Sequence, residues 1–142
     1  MNYLFDELKV GQKASFAKTI TETDVYLFAG ISGDINPAHL NEEYAKGTFF
    51  KTRIAHGLIS AGLVSGVLGN IMPGHGTIWM NQNLNFLAPV HFGDTITATV
   101  EITEKLEEKK RIKIKAVCTN QNGVVVLEGD GLASPPRVKV EQ

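Results

Sequence analysis

The chain holds a single cysteine, Cys118, so no disulfide can close within it. That usage fits a reducing compartment. It has almost no surplus of charge of either sign: 14 Lys and Arg stand against 15 Asp and Glu, a formal net charge of −1. A chain so balanced carries no global basic field, which argues against nucleic-acid backbone as a partner. The opening residues, Met1 to Glu7, lack the basic start and apolar run of a secretion signal. A cytoplasmic location is therefore expected. A membrane span needs about 20 mostly apolar residues. The uncharged run from Gly57 to His75 is rich in Gly and Ser and is broken by Asn70 and Pro73, so no membrane association is expected. Four scattered histidines and one cysteine give no metal-ligand spacing, and no glycine-rich phosphate loop follows a strand. Neither a metal nor a cofactor is expected. There is no internal repeat, low-complexity tract or linker, and 142 residues suit one domain, 1–142, with one ordinary core.

The pattern of what is present gives an α+β layout. Gln12 to Ile20 reads as a strand with Ala14, Phe16 and Ile20 on one side. Thr21 and Asp24 form a capping box for a helix striped by Val25, Phe28 and Ala29, which Gly30 and Gly33 end. Asn41 caps a short helix that Gly47 closes. From Gly57 to Met72 runs a helix with no charge on any face, as expected of a helix buried all round. One of its lines is small: Ala61, Gly62, Ser65, Gly66 and Gly69. Interior glycines cost about 1 kcal/mol each against Ala, so something should approach this line closely, either a wrapped sheet or a ligand. After His75 the chain is β: an extended run from Thr77 to Phe86, then Thr95 to Thr103 with Ile96, Ala98, Val100 and Ile102 on one face. Ile112, Ile114, Ala116 and Cys118 alternate in the next strand, and Asn122-Gly123 signals a hairpin into Val124 to Ala133. Short turns between these strands point to an antiparallel meander covering one buried helix.

The chemistry-bearing stretch is Gly33-Asp34-Ile35-Asn36-Pro37-Ala38-His39. Asp34 and His39 are five apart and cannot share a helical face. They converge only if the chain turns between them, which Asn36 and Pro37 favour. A carboxylate and an imidazole around one water form a general acid/base pair. By themselves these residues also suit an ordinary turn carrying a surface histidine. His56 reads as structural, and Lys51 and Arg53 read either as a solvated loop or as contacts for ligand phosphates.

The full string from Ser32 to His39 resembles the hydratase-2 motif of MaoC-like (R)-specific enoyl-CoA hydratases. Arg53-Ile54-Ala55-His56-Gly57, the Val64-Ser65-Gly66 step and Pro89-Val90-His91-Phe92-Gly93-Asp94 match the same family in the same order. Ala38 departs from the larger aliphatic residue usual there. The resemblance implies a hotdog fold, an antiparallel sheet wrapped round one long helix, with the catalytic loop on an overhang of short helices. It implies a homodimer acting on acyl-CoA thioesters: reversible syn addition of water to a trans-2-enoyl-CoA, giving a (3R)-3-hydroxyacyl-CoA. Asp34 and His39 would be catalytic, with Asp34 favoured as the base. The Gly57 N–H would serve as oxyanion donor, Ser65 would contact substrate or support the loop, and Asn36 would shape the loop near the substrate. Two alternatives share the fold, an acyl-CoA thioesterase and a (3R)-hydroxyacyl-acyl-carrier-protein dehydratase. Both resemblances call for an acid on or near the central helix, and Gly57 to His75 contains no Asp or Glu.

Overall fold

The computed structural model describes residues 2–140. Met1 and residues 141–142, the ends of the expected 1–142 domain, lie outside the described residues. After a short 3₁₀ turn at Phe5–Glu7 the order is β1 (Lys13–Thr19), α1 (Glu22–Ser32), α2 (Pro37–Leu40), α3 (Glu42–Ala45) and α4 (Gly57–Asn70). Then come β2 (Ile78–Gln82), β3 (Asn85–Phe86), β4 (Thr95–Leu106), β5 (Arg111–Thr119) and β6 (Val125–Ser134). The strands form one antiparallel sheet in the order β1-β4-β5-β6-β2, with β3 also on β6. This is the expected α+β, hotdog-type arrangement.

The alternation in β4 and β5 places the core. Ile96, Ala98, Val100 and Ile102 of β4, and Ile112, Ile114, Ala116 and Cys118 of β5, are all fully buried. They face α4 through Leu63, Val64, Val67 and Leu68. Each large aliphatic side chain so buried contributes about 1.5–3 kcal/mol. Lys113 and Lys115, the alternating partners on β5, stay exposed. The sheet therefore has one wet face and one face curled over the helix.

Four local expectations change. Helix α1 starts at the expected capping box, where the Thr21 side chain accepts from the Asp24 N–H. It then runs through Gly30, and Gly33, in the left-handed conformation at φ 75°, ends it alone. On β1, an outer strand of the sheet, Phe16 is exposed, although Ile20 just past the strand is buried. The extended run after Thr77 is two strands, broken by residues 83 and 84.

The fourth change concerns α4, which is not buried all round. Leu58, Gly62 and Ser65 are exposed. A Cβ built on Gly62, Gly66 or Gly69 would meet nothing within 4 Å. The sheet of this chain covers the Leu63/Val67 side of the helix and leaves the small-residue side open. Close approach within the chain occurs instead at Gly57, where a Cβ would sit 2.6 Å from the Phe86 ring.

Candidate active site

The stretch from Gly33 to His39 folds by local hydrogen bonding. Gly33 turns the chain out of α1, where its N–H still donates to Ala29 O. The Ser32 hydroxyl reaches back to Phe28 O at 2.6 Å and accepts the Asp34 N–H at 3.0 Å. Asp34 Oδ1 accepts the Asn36 N–H at 3.2 Å, an Asx-type turn. Asn36 then caps α2, its side-chain oxygen accepting the Ala38 N–H at 3.0 Å with Pro37 as the first helical residue. His39 thus sits on a single helical turn. Asn36 is exposed and its side chain is spent on the cap, so it shapes the loop.

Two backbone carbonyls fix the two nearby imidazoles. His39 Nδ1 lies 2.7 Å from Ile54 O, and Ile54 N–H donates to Ala38 O at 3.2 Å, a reciprocal clasp between α2 and the strand-like segment before α4. A carbonyl oxygen only accepts, so Nδ1 carries the proton and Nε2 is left for chemistry. His56 Nε2 lies 2.9 Å from the Asp34 carbonyl oxygen, which by the same logic places its proton on Nε2. The His39 and His56 rings are in face contact, with centroids 3.9 Å apart and planes 31° apart.

One carboxylate oxygen of Asp34 and one ring nitrogen from each of His39 and His56 lie within 4.8 Å of one another. Such a trio can hold a metal only if both ring lone pairs converge on one point. The rings are tilted by 31°, and one nitrogen of each, His39 Nδ1 and His56 Nε2, is already committed to a backbone carbonyl. The geometry instead suits one water held between the Asp34 carboxylate and His39 Nε2.

The trio lines one end of a cavity of about 540 Å³. Its walls are apolar: Phe49 and Phe50 from the loop before α4, Phe86 and Leu87, and Val126 and Leu127 of β6. Gly57 forms part of the wall. As the first residue of α4 it points its N–H out of the helix N-terminus, where orphan donors and the positive end of the helix dipole coincide. The site therefore has an acid/base end, a backbone donor of partial positive charge, and an apolar chamber.

Of the expected site residues, the structure gathers Asp34, His39 and Gly57 around this cavity. Ser65 is elsewhere. It lies eight residues along α4 from Gly57, about 12 Å at 1.5 Å per residue, on the exposed side of the helix and outside the cavity lining. Arg53 is not free to meet a ligand phosphate. Its guanidinium donates to Glu22 Oε1 at 2.9 Å and to the Tyr26 hydroxyl at 3.0 Å, and its backbone N–H donates to Glu42 at 3.1 Å. Hydrogen bonds from Tyr26 and then Arg53 hold the Glu22 carboxyl below its ordinary range. Those from the Arg53 backbone and then Thr52 do the same for Glu42. The cluster ties α1 and α3 to the segment that leads into His56. No periodicity announces it, because its members are 11 and 31 residues apart.

Comparison with known proteins agrees with this geometry. A family model described as a MaoC like domain matches residues 6–124. The chain is 54% identical over 134 residues to an (R)-specific enoyl-CoA hydratase of Rhodospirillum rubrum, covering 94% of this chain and 92% of that protein. It is 44% identical to a 3-hydroxybutyryl-CoA dehydratase of Methylorubrum extorquens, covering 94% of this chain and 84% of that one. Among solved structures, the unliganded R-hydratase PhaJ1 of Pseudomonas aeruginosa superposes with a TM-score of 0.90 at 40% identity, covering 99% of this chain and 93% of that one.

Proposed function

Because the chain belongs to the MaoC-like domain family, we propose that it is a hydro-lyase, an (R)-specific enoyl-CoA hydratase. It adds water reversibly across a trans-2-enoyl-CoA to give a (3R)-3-hydroxyacyl-CoA. The observation that carries this reading is that a carboxylate oxygen of Asp34 and a ring nitrogen of His39 lie within 4.8 Å of each other in the cavity that Gly57, the first residue of α4, also lines.

In the hydration direction the acyl chain enters the apolar chamber and the thioester carbonyl approaches Gly57. The Asp34 carboxylate removes a proton from the held water as its oxygen bonds to C3. The C2–C3 double bond electrons shift onto the thioester as an enolate, which the Gly57 N–H and the α4 dipole stabilise. The proton taken up by Asp34 passes to the open Nε2 of His39, which delivers it to C2 as the enolate collapses. Asp34 is then again a carboxylate and His39 again the Nδ1–H form, ready for the next turnover. Water and C2 proton come from the same side, so the addition is syn. Asn36 holds the loop shape under both groups.

We assign the cell's interior as the place of work, acyl-CoA as the substrate class and a homodimer as the working form. The open side of α4 supports the dimer: a Cβ on Gly62, Gly66 or Gly69 would meet nothing within 4 Å and Ser65 is exposed, and small residues let a second copy approach closely. A substrate contact by Ser65 would then be made to a site on that second copy. β2, an outer strand with Ile78 and Met80 exposed, offers an unpaired edge beside it. Among the described residues no helix is long and apolar enough to cross a membrane.

The test is crotonyl-CoA as substrate, following loss of the conjugated-thioester absorbance with a thiol reagent in parallel. Absorbance loss without free thiol supports the hydratase. Thiol release without hydration would replace it with a thioesterase, and tight binding without turnover would replace it with a binding module.

A further inference from the structure

We propose that His56 is a positioning residue for the hydration, holding Asp34, His39 and Gly57 in one register. The inference rests on the reading of Asp34 and His39 as the acid/base pair.

His56 touches all three parts of the site. It precedes Gly57 directly and is the residue at the N-cap of α4. Its Nε2–H donates to Asp34 O at 2.9 Å. Its ring lies against His39 at 3.9 Å on one side, and Phe28 packs on it at 4.7 Å between centroids. It is only 3% exposed, whereas the Asp34 side chain is half exposed.

The helix gains nothing from this side chain. N-cap positions favour Ser, Thr, Asp or Asn, and losing such a cap costs about 1 kcal/mol. His56 makes no side-chain cap to α4. Its Nδ1 is buried without a hydrogen-bond partner, which is itself a cost. The residue forgoes both local gains and turns its donor toward Asp34.

The Asp34 loop needs that anchor. Residues 33–37 are all exposed, and their other hydrogen bonds stay within four residues along the chain. Among the described residues, the bond from His56 is the one hydrogen bond that ties residues 33–37 to a distant part of the chain. Face contact with His56 also limits tilt of the His39 ring about its Nδ1–Ile54 bond, and so aims Nε2. Misplacement of a catalytic group by about 1 Å can cost on the order of 100-fold in rate.

The experiment compares His56→Phe, which keeps a stacking ring but has no donor, with His56→Gln, which keeps an N–H near the Nε2 position. Both are assayed for crotonyl-CoA hydration beside wild type and Asp34→Asn. The expected result for His56→Phe is a fall in kcat on the order of 10- to 100-fold with KM nearly unchanged, and for His56→Gln recovery of most of that loss. If His56→Phe keeps wild-type kcat, or if Gln is no better than a folded Phe variant, the inference is overturned. Loss of activity in Asp34→Asn with full activity in His56→Phe sinks only this inference. Full activity in Asp34→Asn sinks the acid/base reading beneath it. A second measurement needs no variant to fold: nitrogen-15 spectra of the wild-type protein should show His56 as the Nε2–H tautomer. An Nδ1–H tautomer would contradict the hydrogen bond to Asp34 on which the inference stands.

Discussion

The Phe86 ring lies so close over Gly57 that any Cβ there would come within 2.6 Å of its Cδ1 and 2.7 Å of its Cε1. Phe86 sits on the two-residue strand β3, paired through Leu127 to β6, and is more than half exposed. The ring is thus a movable wall over the N-terminus of α4. Gly57→Ala should push it aside or shift the N–H proposed to meet the thioester oxygen. The expected loss in kcat is about 10-fold or more, the scale of a displaced oxyanion donor. Gly57→Ala combined with Phe86→Ala should recover part of it, measured as a double-mutant cycle. Equal losses with and without the Phe86 ring would show that the clash is not the cause.

Acid should loosen the overhang through Arg53. Glu22 and Glu42 are both held below their ordinary value of 4.5 in the folded chain. A carboxyl with a depressed folded-state pKa stabilises the fold above its unfolded pKa. That stabilisation is lost as pH falls through the lowered folded value. Thermal unfolding should therefore move to lower temperature as pH drops below about 4.5. Arg53→Ala should lower stability at neutral pH and make this acid limb shallower, because the guanidinium's hydrogen bond to Glu22 and its charge beside Glu42 are lost while Tyr26, Thr52 and the residue-53 backbone N–H remain. An acid limb of unchanged depth in Arg53→Ala would refute the linkage.

Much of this was legible in the sequence where the period of the side chains is set by burial. The alternation of Ile96 to Ile102 and of Ile112 to Cys118 marked two central strands because both pack on one helix. The capping box at Thr21 and Asp24 fixed the start of α1 to the residue. The Asp34-to-His39 string marked the turn itself because its hydrogen bonding is local. Position on α4 was less legible. An uncharged helix reads as buried on all sides, yet Gly62 and Ser65 are open in the single chain. Absence of charge reports that a face is kept dry without saying by which chain. The role of Arg53 and the reach of His56 to Asp34 were hidden for another reason: contacts 22 to 31 residues apart in the chain leave no period to read.

The open side of α4 gives a prediction on assembly. Ser65→Trp places a large ring where wild type has an exposed small residue with no role in its own core. The fold of the single chain should survive. Sedimentation should give a dimer for wild type and a shift to monomer for Ser65→Trp, with activity lost in parallel. A wild-type monomer that is fully active would remove the dimer from the account.

Cys118 should be inert. It is buried beneath α4, its thiol directed at Ser60 O, and burial pushes it from 9.0 up to about 11. The thiolate is the reactive form, so it is scarce at pH 8. A thiol reagent at pH 8 should find no reactive group in native protein and one after unfolding. Rapid labelling of native protein, with loss of activity, would contradict the burial. The same inertness keeps a parallel thiol assay of substrate cleavage free of background.

The central claim is that Asp34 and His39 together move the protons of hydration, and initial-rate hydration of crotonyl-CoA by Asp34→Asn and His39→Ala tests it most directly. Asparagine keeps the shape and the Asn36 contact but cannot take a proton, and alanine removes the ring. Each folded variant is expected to lose about 10²- to 10⁴-fold in kcat, the range for a general acid or base. The double variant should fall little further, because the two residues act as a unit. A folded Asp34→Asn or His39→Ala protein that hydrates crotonyl-CoA at the wild-type rate would contradict the account.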